Sequence, residues 1–520
     1  MKHPAWLNEA IFYEVYPQSF KDTNADGIGD IPGIIEKLDY IHDLGCNAIW
    51  INPCFASPFG DAGYDVADYY SVAPRYGTNE DLKRLFAEAH NRNMHVILDL
   101  VPGHTSVEHP WFRESMKGHT NKYTDRYIWT NSVWEEPEGF GCIRGFSERN
   151  GSCVVNYFSN QPALNYGFQN PVLPWQQPTN APGPRATVEE LKKIMHFWLS
   201  MGCDGFRVDM ANSLVKNDPD SIGAIALWQE IRSFLDDTFP DAVMVSEWGE
   251  PDKSLEAGFH MDFLLHFGSS HYNDLFRCEA PFFSAKGAGD ASAFVAKYRS
   301  NYEAAGRKGL ICIPSGNHDM DRLARSLHGD CLKVAFAFLL SMPGAPFIYY
   351  GDEIGMRYIE DHLSVEGGYN RTGSRSPMQW DHSVNAGFSA APEEKLYIRM
   401  DGSADRPTVA AQMADRDSLY HVVKQLIAIR QAHKALQNTG EIDFIYAEKN
   451  AYPLAYLRTY DDEQILIVLN PSDREVSFHC SFIPVETIYR MGGNVSCHDE
   501  TFTIAPQTAA FLKVQHKRIL

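Results

Sequence analysis

The feature that most restricts how this chain can fold is a repeated alternation of short apolar runs and amphipathic helical segments from residue 11 to residue 350. Apolar runs bounded by turn residues read as strands at 11–15, 46–51, 94–100, 203–208, 242–246, 260–265, 310–314 and 346–350. Between most of them lie segments with apolar residues at helical spacing. Ile34, Leu38 and Ile41 stop at Gly45, and Thr78 opens a helix carrying Leu82, Leu85, Phe86 and Ala89 on one face. Thr187 and Glu190 read as a capping box that opens a helix with Leu191, Ile194, Met195 and Trp198 inward. Eight strand–helix units predict an α/β fold, a (β/α)8 TIM barrel, with its active site at the C-terminal ends of the strands.

Two stretches break the rhythm. Residues 105–166 are rich in Gly, Asn, Ser and aromatics and read as a small inserted domain after the third strand; 351–417 form a second irregular excursion after the eighth. Beyond a helix at 419–434 the pattern turns to period two, predicting a C-terminal antiparallel β domain. The expected division is a barrel from 1–104 and 167–440, an insert at 105–166, and a β-sandwich at 441–520.

With 67 acidic against 46 basic residues the net charge is −21, which disfavours nucleic acid or an anionic membrane as partner. A neutral small molecule suits it better, and the 12% aromatic content suits stacking on sugar rings. No run approaches the ~20 apolar residues of a membrane helix, and the first residues lack a secretory signal. The ten cysteines are scattered without metal-ligand spacing, which points to free thiols in a reducing cytoplasm.

Charged residues gather just past four of the strands: Asp99 and His104, Arg207 and Asp209, Glu247, and His318 with Asp319. One polar strand end means little, but four on one barrel face are hard to explain by stability alone. Strand alternation sends Arg207 and Asp209 to one side, where the guanidinium is expected to hold Asp209 ionised. A second chemical feature is Asp22-Thr-Asn24-Ala-Asp26-Gly-Ile28-Gly-Asp30. Its alternating oxygen donors and sixth-place Gly copy the first half of an EF-hand loop, but Gly33 stands where the bidentate Glu belongs. A turn rich in Asx residues is the other reading.

The four clusters, with Asp61-Ala-Gly-Tyr64-Asp65 and the 342–355 segment, resemble the signature regions of the α-amylase family of glycoside hydrolases, in that family's order. Arg375-Ser-Pro-Met-Gln-Trp380-Asp is similar to the group containing oligo-1,6-glucosidases, α-glucosidases, sucrose isomerases and trehalose synthases. The resemblance implies Asp209 as nucleophile, Glu247 as general acid/base and Asp319 as the carboxylate that stabilises a distorted sugar. It further implies Asp61, Tyr64, His104, Arg207 and His318 around the innermost sugar, with Arg375 either lining the next subsite or bracing its loop. A structural Ca²⁺ or Mg²⁺ in the loop of Asp22, Asn24, Asp26, Ile28 and Asp30 follows from the same group; no organic cofactor is implied.

The expected activity is retaining hydrolysis of short α-glucosides by exo-attack, with transglycosylation as a side reaction. The alternatives are an intramolecular glucosyl transferase of the trehalose synthase or sucrose isomerase type and a non-catalytic amylase-like protein. The sequence departs from the family at Gly103, where Asn usually contributes to a calcium site, at Ala163, where Asp is usual, and at Met210 after the expected nucleophile. These departures leave linkage preference open.

Overall fold

Short β-branched and aromatic runs such as Ala-Ile-Trp-Ile are buried on both faces, which a strand satisfies only between helices and a packed interior. The computed structural model, which describes residues 3–286, 290–367 and 369–516, places eight such runs side by side. They are β1 (Phe12–Val15), β2 (Ala48–Ile51), β3 (His95–Leu100), β4 (Gly205–Val208), β5 (Val243–Ser246), β6 (Met261–Phe263), β7 (Leu310–Cys312) and β8 (Phe347–Tyr349). The sheet runs in the order β7-β6-β5-β4-β3-β2-β1-β8, with every pairing parallel. A parallel bridge between Pro314 and Phe347 joins its two ends, closing the barrel. The expected TIM barrel is the fold observed.

The lumen is packed with rings. Phe12 stacks on Phe347 at 4.3 Å, and Phe263 lies 4.7 Å from Phe347 and 5.7 Å from Trp50. Above this apolar plug the inward positions turn polar, with Glu14, Asp99 and Arg207 all buried. The plug thus forms the floor on which the charged groups stand.

The helix expected to begin at a Thr187–Glu190 capping box instead runs from Pro182 to Ser200. Pro182 fits the first turn, where a missing N–H costs nothing, so the helix starts earlier than the capping signal suggests. Thr187 lies inside, its hydroxyl donating to the Gly183 carbonyl, while Glu190 accepts from the Tyr70 hydroxyl. The first helical segment is also interrupted, at Lys37, into Ile31–Glu36 and Leu38–Leu44.

Between β3 and β4 the chain makes a two-stranded ribbon, Cys142–Arg144 with Ser152–Val154, and a small core of Ile128, Val154, Ala163, Phe168 and Trp175. After the helix Leu419–Ala432 come β9 (Glu441–Tyr446), β10 (Leu454–Tyr460), β11 (Glu463–Asn470), β12 (Val476–His479), β13 (Phe482–Met491), β14 (Val495–His498), β15 (Thr501–Ile504) and β16 (Thr508–His516). They form antiparallel sheets ordered β9-β10-β11-β16-β13 and β12-β15-β14 around a separate apolar cluster. Arg458 on β10 ties this unit to the barrel: its buried guanidinium donates to the carbonyls of Ser341, Leu436, Gln437, Gly440 and Glu441. All ten cysteines are unpaired. Among the described residues, no helix is long and apolar enough to cross a membrane.

Candidate active site

A cavity of ≈ 400 Å³ opens at the C-terminal ends of the barrel strands. Its carboxylates come from four separate segments: Asp61 after β2, Asp209 after β4, Glu247 after β5 and Asp319 after β7. The outer wall is aromatic, with Tyr157 and Phe158 from the insert, Phe267 after β6 and Tyr369 after β8. Segments far apart in sequence therefore build one cleft, because a barrel brings all its strand ends to one rim.

One guanidinium organises the inner end. Arg207, 1% exposed, reaches Asp99 at 2.9 Å and Asp209 at 3.1 Å through Nη1, and Glu247 at 2.7 Å through Nη2. Glu247 also accepts the Met210 N–H at 3.1 Å, so the turn after β4 holds the carboxylate that follows β5. Arg207's hold on Asp209 is shared with Glu247 and Asp99, which the sequence expectation did not include. Burial and the Glu247 charge push Asp209 well above the usual carboxylate range against the pull of Arg207. A cation shared among three carboxylates cannot fully compensate one.

Asp319 is the opposite case. It is half-buried, and His318, Arg371 and Arg375 surround it, with Arg371 Nη1 at 2.6 Å and Arg375 Nη2 at 2.8 Å from Oδ1. Their charges outweigh desolvation and hold its carboxyl well below the usual range. The second guanidinium nitrogen of Arg371 donates to Asp61, which also accepts from Gln161 Nε2 at 2.7 Å. Arg371 therefore ties two walls of the cavity together.

Asp61, Tyr64, Asp209, Glu247 and Asp319 line the cavity, whereas His104, Arg207, His318 and Arg375 stand behind its wall. Of the two roles open for Arg375, the geometry matches the brace: it is 1% exposed and donates to the His318 carbonyl, Tyr16, Glu366 and Asp319. Arg371, four residues earlier, is the arginine that faces the cavity. Sequence reasoning missed it, as it missed Glu14, Asn156 and the aromatic rim; a charged residue in an irregular stretch carries no periodic signal.

His104 Nδ1 accepts from Asn156 Nδ2 at 3.2 Å and its Nε2–H donates to the Tyr64 carbonyl at 3.1 Å; burial pushes its pKa down to about 3, so it is neutral. Asn156 in turn accepts from Lys216 Nζ at 2.8 Å. This explains Gly103: a Cβ there would lie 2.6 Å from Asn156 Nδ2. Lys216 is a buried ammonium whose pKa desolvation lowers to about 8, and it stands against Asn156.

The Asp22–Asp30 loop is closed by its own side chains. Asp22 accepts the N–H groups of Asn24, Ala25 and Gly27, Asn24 that of Asp26, and Asp26 that of Ile28. Asp30 caps the helix Ile31–Glu36 through Gly33 at 2.7 Å, and burial, helped by Asp22, raises its pKa. Among the described residues, no three His, Cys, Asp or Glu side chains cluster tightly enough to hold a metal alone. An ion here would need the Asn24 amide and the Ile28 carbonyl as well; such an all-oxygen set fits Ca²⁺ or Mg²⁺ chemically.

Comparison with known proteins agrees with this geometry. The family described as "Alpha amylase, catalytic domain" matches residues 14–439, and "Maltogenic Amylase, C-terminal domain" matches 442–500. An oligo-1,6-glucosidase from Parageobacillus thermoglucosidasius is 32% identical over 93% of both chains. A trehalose-6-phosphate hydrolase from Bacillus subtilis is 31% identical over 91% of both. The solved structure of a trehalulose synthase from Pseudomonas mesoacidophila superposes with a TM-score of 0.82 at 28% identity, covering 99% of this chain and 100% of the other.

Proposed function

The chain belongs to the α-amylase family and is a glycoside hydrolase, and on that premise we propose that it is a retaining, exo-acting α-glucosidase for disaccharides and short oligosaccharides. The observation that carries this reading is Arg207 touching both Asp209 and Glu247. One guanidinium holding both carboxylates sets them side by side on one cavity, and the retaining mechanism calls for such a pair about 5–5.5 Å apart. Asp209 attacks the anomeric carbon as the glycosidic bond breaks, and Glu247 delivers its proton to the departing oxygen. Water deprotonated by Glu247 then releases glucose from Asp209. Asp319, kept ionised by its cationic neighbours, faces the positive charge that develops on the sugar ring. The first step needs Glu247 to carry a proton and Asp209 to be ionised.

The exo preference rests on the aromatic rim and on Arg371, which closes the inner end between Asp61 and Asp319. A structural Ca²⁺ or Mg²⁺ in the Asp22–Asp30 loop belongs to the same proposal; it would stiffen the segment after β1 and take no part in bond breaking. The second reading is intramolecular glucosyl transfer, favoured by the likeness to the trehalulose synthase and to an isomaltulose synthase variant from Erwinia rhapontici solved with sucrose, TM-score 0.83 at 26% identity. Separating the products from maltose, isomaltose and sucrose decides between them. Free glucose as main product supports hydrolysis, and an isomeric disaccharide from sucrose supports the transferase.

A further inference from the structure

His318 is enclosed by groups able to accept its protons, Tyr64 at Nε2 and Glu14 at Nδ1, with the Asn52 amide also at Nδ1. The Tyr64 hydroxyl lies 2.7 Å from Nε2 and donates its single hydrogen to Asp99 Oδ2 at 2.9 Å. Asp99 Oδ1 is held at 2.9 Å by Arg207, and Trp50 Nε1 donates to Oδ2 at 3.2 Å, so Asp99 is a carboxylate and the Tyr64 oxygen must accept. Nε2 therefore carries a hydrogen, which Asp319 Oδ2 at 3.3 Å also attracts.

At the other ring nitrogen, Glu14 Oε1 lies 3.0 Å from Nδ1. Glu14 is fully buried on β1, and among the described residues its only charged contact within hydrogen-bond range is this imidazole. Asn52 Nδ2 approaches Nδ1 at 2.9 Å, while Asn52 Oδ1 and Glu14 Oε2 are without hydrogen-bond partners among the described residues. Turning the Asn52 amide over, an assignment that depends on the hydrogen-bond network alone, presents Oδ1 to Nδ1–H and removes one of the two vacancies. Glu14 Oε1 and the turned amide both ask for a proton on Nδ1.

From this geometry we infer that Glu14 is a positioning residue that keeps His318 doubly protonated, so that the innermost sugar site is built on a fixed imidazolium between Glu14 and Asp319. Bringing Glu14 into the lumen places a charge where the remaining rings are apolar, and His318 is the cation that compensates it. Of the remaining charged groups, Asp99 and Arg207 offset one another, while Arg375 opposes the imidazolium but is itself paired with Glu366 and Asp319. Asp99 and Arg207 meet it through Tyr64, Arg375 reaches its carbonyl at 2.8 Å, and the Tyr16 ring stacks 6.1 Å away. The direction of titration agrees: Asp319 and Glu14 lift His318 to about 9 against desolvation. A cation there holds Asp319 ionised when positive charge grows on the sugar. The inference rests on the role proposed for Asp319, and its test separates the two.

The test is Glu14→Gln, which keeps shape and removes charge. The rate constant kcat/KM is followed against pH with α-glucosyl fluoride, whose leaving group depends little on protonation by Glu247. The expected result is an alkaline limb moved to lower pH by about one to two units, and its return when Asn52→Asp puts a carboxylate back beside Nδ1. A limb that stays in place while activity falls uniformly overturns the inference and leaves the glucosidase reading intact; absence of hydrolysis in the wild type strikes that reading instead. Should the variant fail to fold, ¹⁵N NMR of the wild-type histidines, assigned with His318→Asn, serves in its place. Two protonated ring nitrogens at neutral pH are expected, and a single neutral tautomer overturns the proposal.

Discussion

Replacing Arg207 by Lys probes the centre of the site while preserving its charge. The guanidinium serves Asp99 and Asp209 from one nitrogen and Glu247 from the other. An ammonium on a single nitrogen cannot span all three, so one or two charge-assisted hydrogen bonds are lost, worth about 1.5–3 kcal/mol each. A loss of ~1.5–6 kcal/mol expressed in the transition state lowers kcat/KM by about 10–10⁴. The sign of the pH effect follows as well. Asp209 already lies above the usual carboxylate range because of burial and Glu247, and a weaker cationic contact raises it further. An acid that must be ionised to react sets an acid limb, so that limb moves to higher pH. Arg207→Met is less informative, since stranding buried carboxylates costs ~3–5 kcal/mol and endangers the fold. The assay is kcat/KM for maltose across pH, with thermal melting to confirm that the variant is folded. A folded Arg207→Lys enzyme within about threefold of wild type, under ~1 kcal/mol, and with an unmoved acid limb would refute the reasoning.

Three further outcomes are expected. Arg371→Met removes contacts to Asp61 and Asp319, and maltose kinetics should show kcat/KM down by at least about 10² through the loss of ~3 kcal/mol of charge-assisted bonding; an unchanged value would mean Arg371 does not shape the sugar site. Arg458→Met orphans carbonyls at the junction of barrel and C-terminal sheet, and urea melts should show ~3 kcal/mol or more of lost stability, with kcat preserved in the folded fraction. For the Asp22–Asp30 loop, excess Ca²⁺ or Mg²⁺ should raise Tm by mass action in the wild type and not in Asp26→Asn; no shift with either ion counts against a bound metal.

What the sequence discloses is local. Each charged cluster sits within a few residues of a strand end, so the segments around Asp99, Asp209, Glu247 and Asp319 are legible one by one. What it conceals is which groups meet across the barrel. Arg207 stands two residues from Asp209, which suggests an exclusive pair, yet Glu247 and Asp99 claim the same guanidinium from neighbouring strands. Glu14 lies within an otherwise apolar strand, and nothing nearby in the chain marks it as the partner of His318. Arg371 belongs to a segment without period, where placement depends on tertiary contacts. The Thr187–Glu190 signal fails for a different reason: helix propagation through Pro182 and Pro184 overrides a local capping pattern when the face ahead of it is buried.

The central claim is that Asp209 forms a covalent bond with the anomeric carbon while Glu247 handles the proton. It is tested most directly by incubating the enzyme with 5-fluoro-α-glucosyl fluoride, which slows release of the intermediate, and then locating the added sugar mass by peptide mass spectrometry. Fluoroglucose attached to Asp209 is the predicted result. A label on Glu247, Asp319 or any other side chain would contradict it.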